Sequence, residues 1–84
     1  MEIDKEIAQR IIRIRKRRKI SQKELAQRSG VSLGSLKRFE QQGEISLKSL
    51  TLLAIALEIE NEFDDLFAKV PFLSLDEVLN EEVE

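Results

Sequence analysis

The chain of 84 residues has no cysteine and no histidine. Disulfides, finger-type zinc sites, thiol nucleophiles and imidazole bases are therefore excluded together, and most catalytic chemistry loses its usual carriers. Carboxylates remain, but none lies beside a glycine-rich phosphate loop or a second acid with an evident site around it. Each reads as a solvated surface charge, so no catalytic residue, metal ligand or cofactor is expected. No apolar run approaches the roughly 20 residues of a membrane span, and the first residues carry no signal-like apolar stretch. The expectation is a soluble, cytoplasmic protein without a membrane partner. Its 84 residues suit one domain near the lower end of what folds without staples, so the core has to be compact.

Charge of either sign is scarce only in the sum. The formal net charge is −2, yet residues 1–43 hold twelve Lys and Arg against five Asp and Glu, a balance of +7, while residues 44–84 hold two against eleven, a balance of −9. One half can face phosphates while the other faces something different.

Ile7, Ile11 and Ile14 recur at helical spacing, so a first helix is expected from a cap at Asp4 to about Lys19. Its basic end, with Arg13, Arg15, Lys16, Arg17, Arg18 and Lys19, suits the negative pole of the helix dipole and can also reach a DNA backbone. Ser21 followed by Glu24 is a capping box that opens a short helix carrying Leu25 and Ala26. Gly30 ends it, Val31 plugs inward, and Ser32 caps a third helix whose Leu36 and Phe39 face the core. That helix runs to about Gln42, with Gly43 as its stop. Ser46 caps a fourth, with Leu47, Leu50, Leu53, Ala54 and Leu57 as the richest apolar stripe. A short fifth helix is expected from Asn61 with Phe63, Leu66 and Phe67, bounded by Pro71. Ser74 and Glu77 form another capping box ahead of Leu75, Val78 and Leu79 in an acidic tail.

Two short helices joined by a glycine turn, the second polar on its exposed face, form the arrangement that places a recognition helix in the DNA major groove. A helical hairpin with no nucleic-acid role has the same spacing. The residues add more. The run Ile20-Ser21-Gln22-Lys23-Glu24-Leu25-Ala26-Gln27-Arg28-Ser29-Gly30-Val31-Ser32 resembles the signature of the phage-repressor-like helix-turn-helix family (lambda repressor and Cro, or XRE). The likeness continues through Leu36, Arg38, Phe39 and Glu40 to Ser46, Leu47 and Leu50, and covers about residues 7–67.

This resemblance implies an all-α fold, a compact lambda-repressor-like bundle of about five short helices, and double-stranded DNA as partner. It places Gln22 on the DNA backbone at a helix N-terminus, where free N–H groups already favour phosphate, with Lys23 beside it. It places Ser32, Leu33, Gly34, Ser35, Lys37 and Arg38 at the start and on the exposed side of the third helix, where the family reads base edges; Gln42, near the following link, can supply a phosphate contact. Leu33 and Gly34 depart from the usual polar pattern, since leucine meets only a thymine methyl and glycine presents no side chain. Arg38 and Lys37 are then the expected hydrogen-bonding readers, with guanine the favoured partner of an arginine fork, although either can instead contact phosphate only. Arg15 and Glu40 match a family pair that forms a structural salt bridge. The link Gly43-Glu44-Ile45 looks about a residue short and carries an acid where backbone-binding residues are common.

One recognition helix reads only a few base pairs, so a homodimer on a palindromic operator is expected, acting as a repressor. Phe63, Leu66, Phe67, Phe72 and Leu73 are the expected dimerisation residues, because apolar residues beyond the needs of a four-helix core would otherwise form an exposed patch. Residues 1–70 are assigned to the DNA-binding domain and 71–84 to an acidic tail for dimerisation or partner binding. The C-terminal stretches Phe63-Asp64-Asp65-Leu66-Phe67 and Ser74-Leu75-Asp76-Glu77-Val78-Leu79 also resemble the ends of HipB-type antitoxins, which pair with HipA-like kinases. The alternative function is therefore an antitoxin that neutralises a toxin and autoregulates its operon.

Overall fold

A computed structural model describes residues 2–70. Four helices follow one another: α1 Glu2–Arg17, α2 Gln22–Ser29, α3 Leu33–Gln42 and α4 Leu47–Ala56, with a 3₁₀ turn at Glu60–Phe63. No strand occurs among the described residues, and no helix there is long and apolar enough to cross a membrane.

The short helices begin where serines can satisfy their first N–H groups. Ser21, Ser32 and Ser46 are extended residues whose hydroxyls accept from Glu24, Ser35 and Ser49 backbone N–H at 3.0, 3.1 and 3.0 Å. The carboxylate of Glu24 turns to Arg28 one turn ahead. Helices α2 and α3 stop at Gly30 and Gly43, both left-handed at φ +80° and +78°. Ser29 stitches the first of these turns, donating to the Ala26 carbonyl at 3.3 Å and accepting from Val31 N–H at 3.1 Å.

Where no glycine is present, a left-handed side-chain-bearing residue does the same work. Lys19 (φ +58°) follows α1, with Lys19 N–H on the Lys16 carbonyl and Ile20 N–H on that of Arg15. Glu58 (φ +60°) follows α4, with Glu58 and Ile59 N–H on the Ile55 and Ala54 carbonyls. Both are Schellman endings with an apolar residue folded back behind the turn. Ile20 is buried and Ile59 half-buried.

Helix α1 packs on α3, and α2 packs on both α3 and α4. Ala8, Ile11, Ile20, Leu25, Val31, Leu36, Phe39, Leu53 and Leu57 form the core these packings enclose. Phe39, Leu25, Leu36, Leu53 and Leu57 are fully buried, each contributing about 2–3 kcal/mol by removing apolar surface from water. Thus every turn and helix of the hairpin α2–α3 is fastened to one cluster, and the outward side of α3 is free of core duty.

Four expectations need correction. Asp4 does not cap α1; it lies in its first turn, where an acid suits the positive end of the dipole, and the helix ends at Arg17. Leu47 leaves the α4 stripe, being 67% exposed. It is the first helical residue and sits on the rim of a shallow groove with Asp4, Ile7 and Ile45, one turn before the packed region. The fifth α-helix is not formed. Its place is taken by the 3₁₀ turn and by i→i−3 bonds from Asp64 to Asn61, Leu66 to Phe63 and Ala68 to Asp65. Only Phe63 is half-buried there, Phe67 takes a left-handed φ of +56°, and the run is acidic, so the segment gains too little burial to stabilise a helix. The count of about five helices becomes four. The capping box at Ser74 and the tail lie outside the described residues.

Candidate nucleic-acid interface

Arg15 is the residue around which the helix pair is fixed. Its Nε and Nη2 donate to Oε2 and Oε1 of Glu40 at 2.8 and 2.9 Å, a two-pronged pairing, while Nη1 donates to the Ile20 carbonyl at 3.0 Å. Guanidinium and carboxylate are 10% and 6% exposed. A charge pair this dry is maintained only because nearly every polar prong has a partner.

Gln22 completes the cluster, donating from Nε2 to Glu40 Oε1 at 2.8 Å. The expected reach of Gln22 toward phosphate is thereby changed: the residue is half-buried, and its amide nitrogen is engaged by Glu40. One carboxylate thus links the end of α1, the start of α2 and the last turns of α3. The sequence pairing of Arg15 with Glu40 is present as an ion pair; the third member was missed. A glutamine at the first helical position, one residue after the cap, was the available signal.

The other sequence-selected residues lie on α2, on α3 and at the cap between them. Lys23 is exposed on the first turn of α2. The Ser32 hydroxyl accepts from Ser35 N–H and donates to Ser35 Oγ at 2.9 Å, which commits Ser32 to the cap. Leu33 is half-buried. Gly34 is open, since a Cβ there would meet nothing within 4 Å. Ser35, Lys37, Arg38 and Gln42 are exposed along α3. Its inward side is held by Leu36 and Phe39, so the outward side presents hydroxyl, amide and cation without an acid.

One partner of this face was not anticipated. Arg38 Nε lies 3.9 Å from Glu44 Oε1, both side chains being about two-thirds exposed. The three-residue link Gly43–Ile45 is so short that it turns Glu44 back beside the last turns of α3. Ser35, Arg38, Glu44, Ile45, Ser46 and Ser49 line a shallow cleft there. The short link was the signal; the fold was needed to see which cation it meets.

The expected dimerisation residues divide. Phe63 is half-buried, Leu66 is 49% exposed and Phe67 88% exposed, while Phe72 and Leu73 lie outside the described residues.

Searches of curated proteins and of solved structures found no match to the chain. The helix-turn-helix family matches it over residues 11–60, from mid-α1 into the 3₁₀ turn and more than half of its length. With two capped helices crossing at Gly30, and the second held polar side outward, the chain belongs to the phage-repressor-like (XRE) helix-turn-helix family of DNA-binding regulators.

Proposed function

We propose that the chain is a homodimeric repressor that lays α3 in the major groove of a two-fold symmetric operator. The observation that carries this reading is the acid-free outward side of α3, held in place by an inward acid, Glu40, that Arg15 neutralises and to which Gln22 donates. Gln22, Lys23 and the N-terminus of α2 take the DNA backbone, where free N–H groups and positive charge suit phosphate. Arg38 and Lys37 reach base edges, Leu33 meets a thymine methyl, and Ser35 and Gln42 contribute polar contacts at either end of the helix. Ser32 acts through its cap, and Gly34 leaves room for close approach of the helix to the groove.

A single α3 reads too little sequence to be specific, and pairing two of them about 34 Å apart solves this. Leu66, Phe67 and Val70, exposed by 49, 88 and 68%, are apolar surface suited to joining two copies. The same surface supports a second reading, in which this end docks on a toxin kinase and DNA binding autoregulates the pair. A co-encoded kinase that copurifies with the chain and masks Phe67 favours it.

Selection of bound sequences from random duplex DNA, with sedimentation of the free chain at micromolar concentration, tests the main reading. A two-fold symmetric enriched site and a dimeric species are expected. Failure to enrich any sequence removes the specific DNA role, and a monomer removes the dimer.

A further inference from the structure

Between Ser32 and Ser49 the sequence holds two acids, and the fold treats them oppositely. Glu40 is buried and spent on Arg15 and Gln22. Glu44 is exposed, beside the one arginine of α3. Its carboxylate approaches Arg38 from the Nε side at 3.9 Å. The two terminal nitrogens, the fork that matches O6 and N7 of guanine, are left for another partner.

We infer that Glu44 is a specificity-determining residue, which lowers binding to DNA of arbitrary sequence while leaving Arg38 competent to read guanine. This rests on the reading of α3 as the DNA-facing helix. Binding to arbitrary sequence is almost wholly attraction between cations and phosphates. A carboxylate in the cleft of Ser35, Arg38, Ser46 and Ser49 opposes that attraction twice, by repelling the phosphate directly and by acting as an internal counter-ion for Arg38. On the cognate site the balance differs. Arg38 extends its fork into the groove, where the gain comes from paired base-edge hydrogen bonds, and the carboxylate behind Nε steers the guanidinium toward them. An exposed pair at this distance is a weak restraint, so the fork of Arg38 turns to guanine with the carboxylate still behind Nε.

The test compares dissociation constants of the full chain for the selected duplex and for a random duplex of equal length, at one salt concentration. Glu44→Gln removes the charge and keeps the shape; as Glu44 is exposed, the melting temperature stays put. The variant is expected to bind the random duplex about fivefold more tightly and the selected duplex within about twofold of the parent, because lost repulsion and lost steering offset each other. In an Arg38→Gln background there is no fork to steer, so the same change tightens both duplexes by one factor and the specificity ratio holds. The inference is overturned if Glu44→Gln leaves the ratio of the two constants unchanged with Arg38 present, or lowers it equally with Arg38 removed. Should the parent chain itself show no preference for any duplex, the reading of α3 falls and the role of Glu44 with it, whereas a specific parent with an unchanged ratio in the variant overturns Glu44 alone.

Discussion

Gly30 and Gly43 hold the same left-handed backbone in different surroundings. A Cβ at Gly30 would enter open space, whereas one at Gly43 would come within 2.9 Å of the carbonyl carbon and Cβ of Asp4. At Gly30 glycine is required by its dihedral angle alone; at Gly43 it also lets the start of α1 close on the end of α3. Gly30→Ala should therefore cost about 1–2 kcal/mol, the ordinary penalty of a left-handed alanine. Gly43→Ala should cost about 3 kcal/mol or more, since the backbone of α1 must also move. Urea denaturation of the two variants checks this, and equal losses would show that the contact with Asp4 carries no strain.

The elements of the hairpin are legible in the sequence because their ends are local chemistry. Ser21, Ser32 and Ser46 cap within their own turns, and Gly30 and Gly43 stop helices by their own dihedral angles. Endings without that local mark were not legible. Lys19 and Glu58 are poor residues for a left-handed turn, and they adopt it because Ile20 and Ile59 fold inward behind them, a tertiary gain invisible in the run of residues. Leu47 and the segment from Asn61 fail for the same reason: helical spacing says which residues share a face, while packing decides whether that face is covered. Arg15 and Glu40 were paired through family resemblance, but Gln22 on Glu40 and Glu44 on Arg38 needed the fold. The network joining α1, α2 and α3 also makes a prediction. Glu40→Ala leaves the Arg15 guanidinium buried without its carboxylate, which should cost about 3 kcal/mol. At a temperature where the variant is still folded, affinity for the selected duplex should fall about tenfold as α3 loses its docking angle. Denaturation and binding measured together decide it; full affinity and an unchanged midpoint would remove the positioning role.

For the molecule as a whole, the segregation of charge follows the order of the helices. The basic half contains α1, α2 and α3, and on the outward side of α3 its cations stand without competing acids until Glu44. The acidic half begins at Glu44 and continues through the 3₁₀ turn to the residues that follow it, among which Leu66, Phe67 and Val70 are exposed. Under the proposed function the first half meets nucleic acid and the exposed apolar residues of the second meet protein. The measurement that tests this division most directly is the change in backbone amide shifts as the selected duplex is added to the isotope-labelled chain. The largest changes are expected at Gln22 and Lys23 and from Ser32 to Gln42, with the outward side of α1 near Glu6 and Gln9 unmoved. Changes centred on that side of α1, with α3 silent, would contradict the assignment of α3 as the helix that meets DNA.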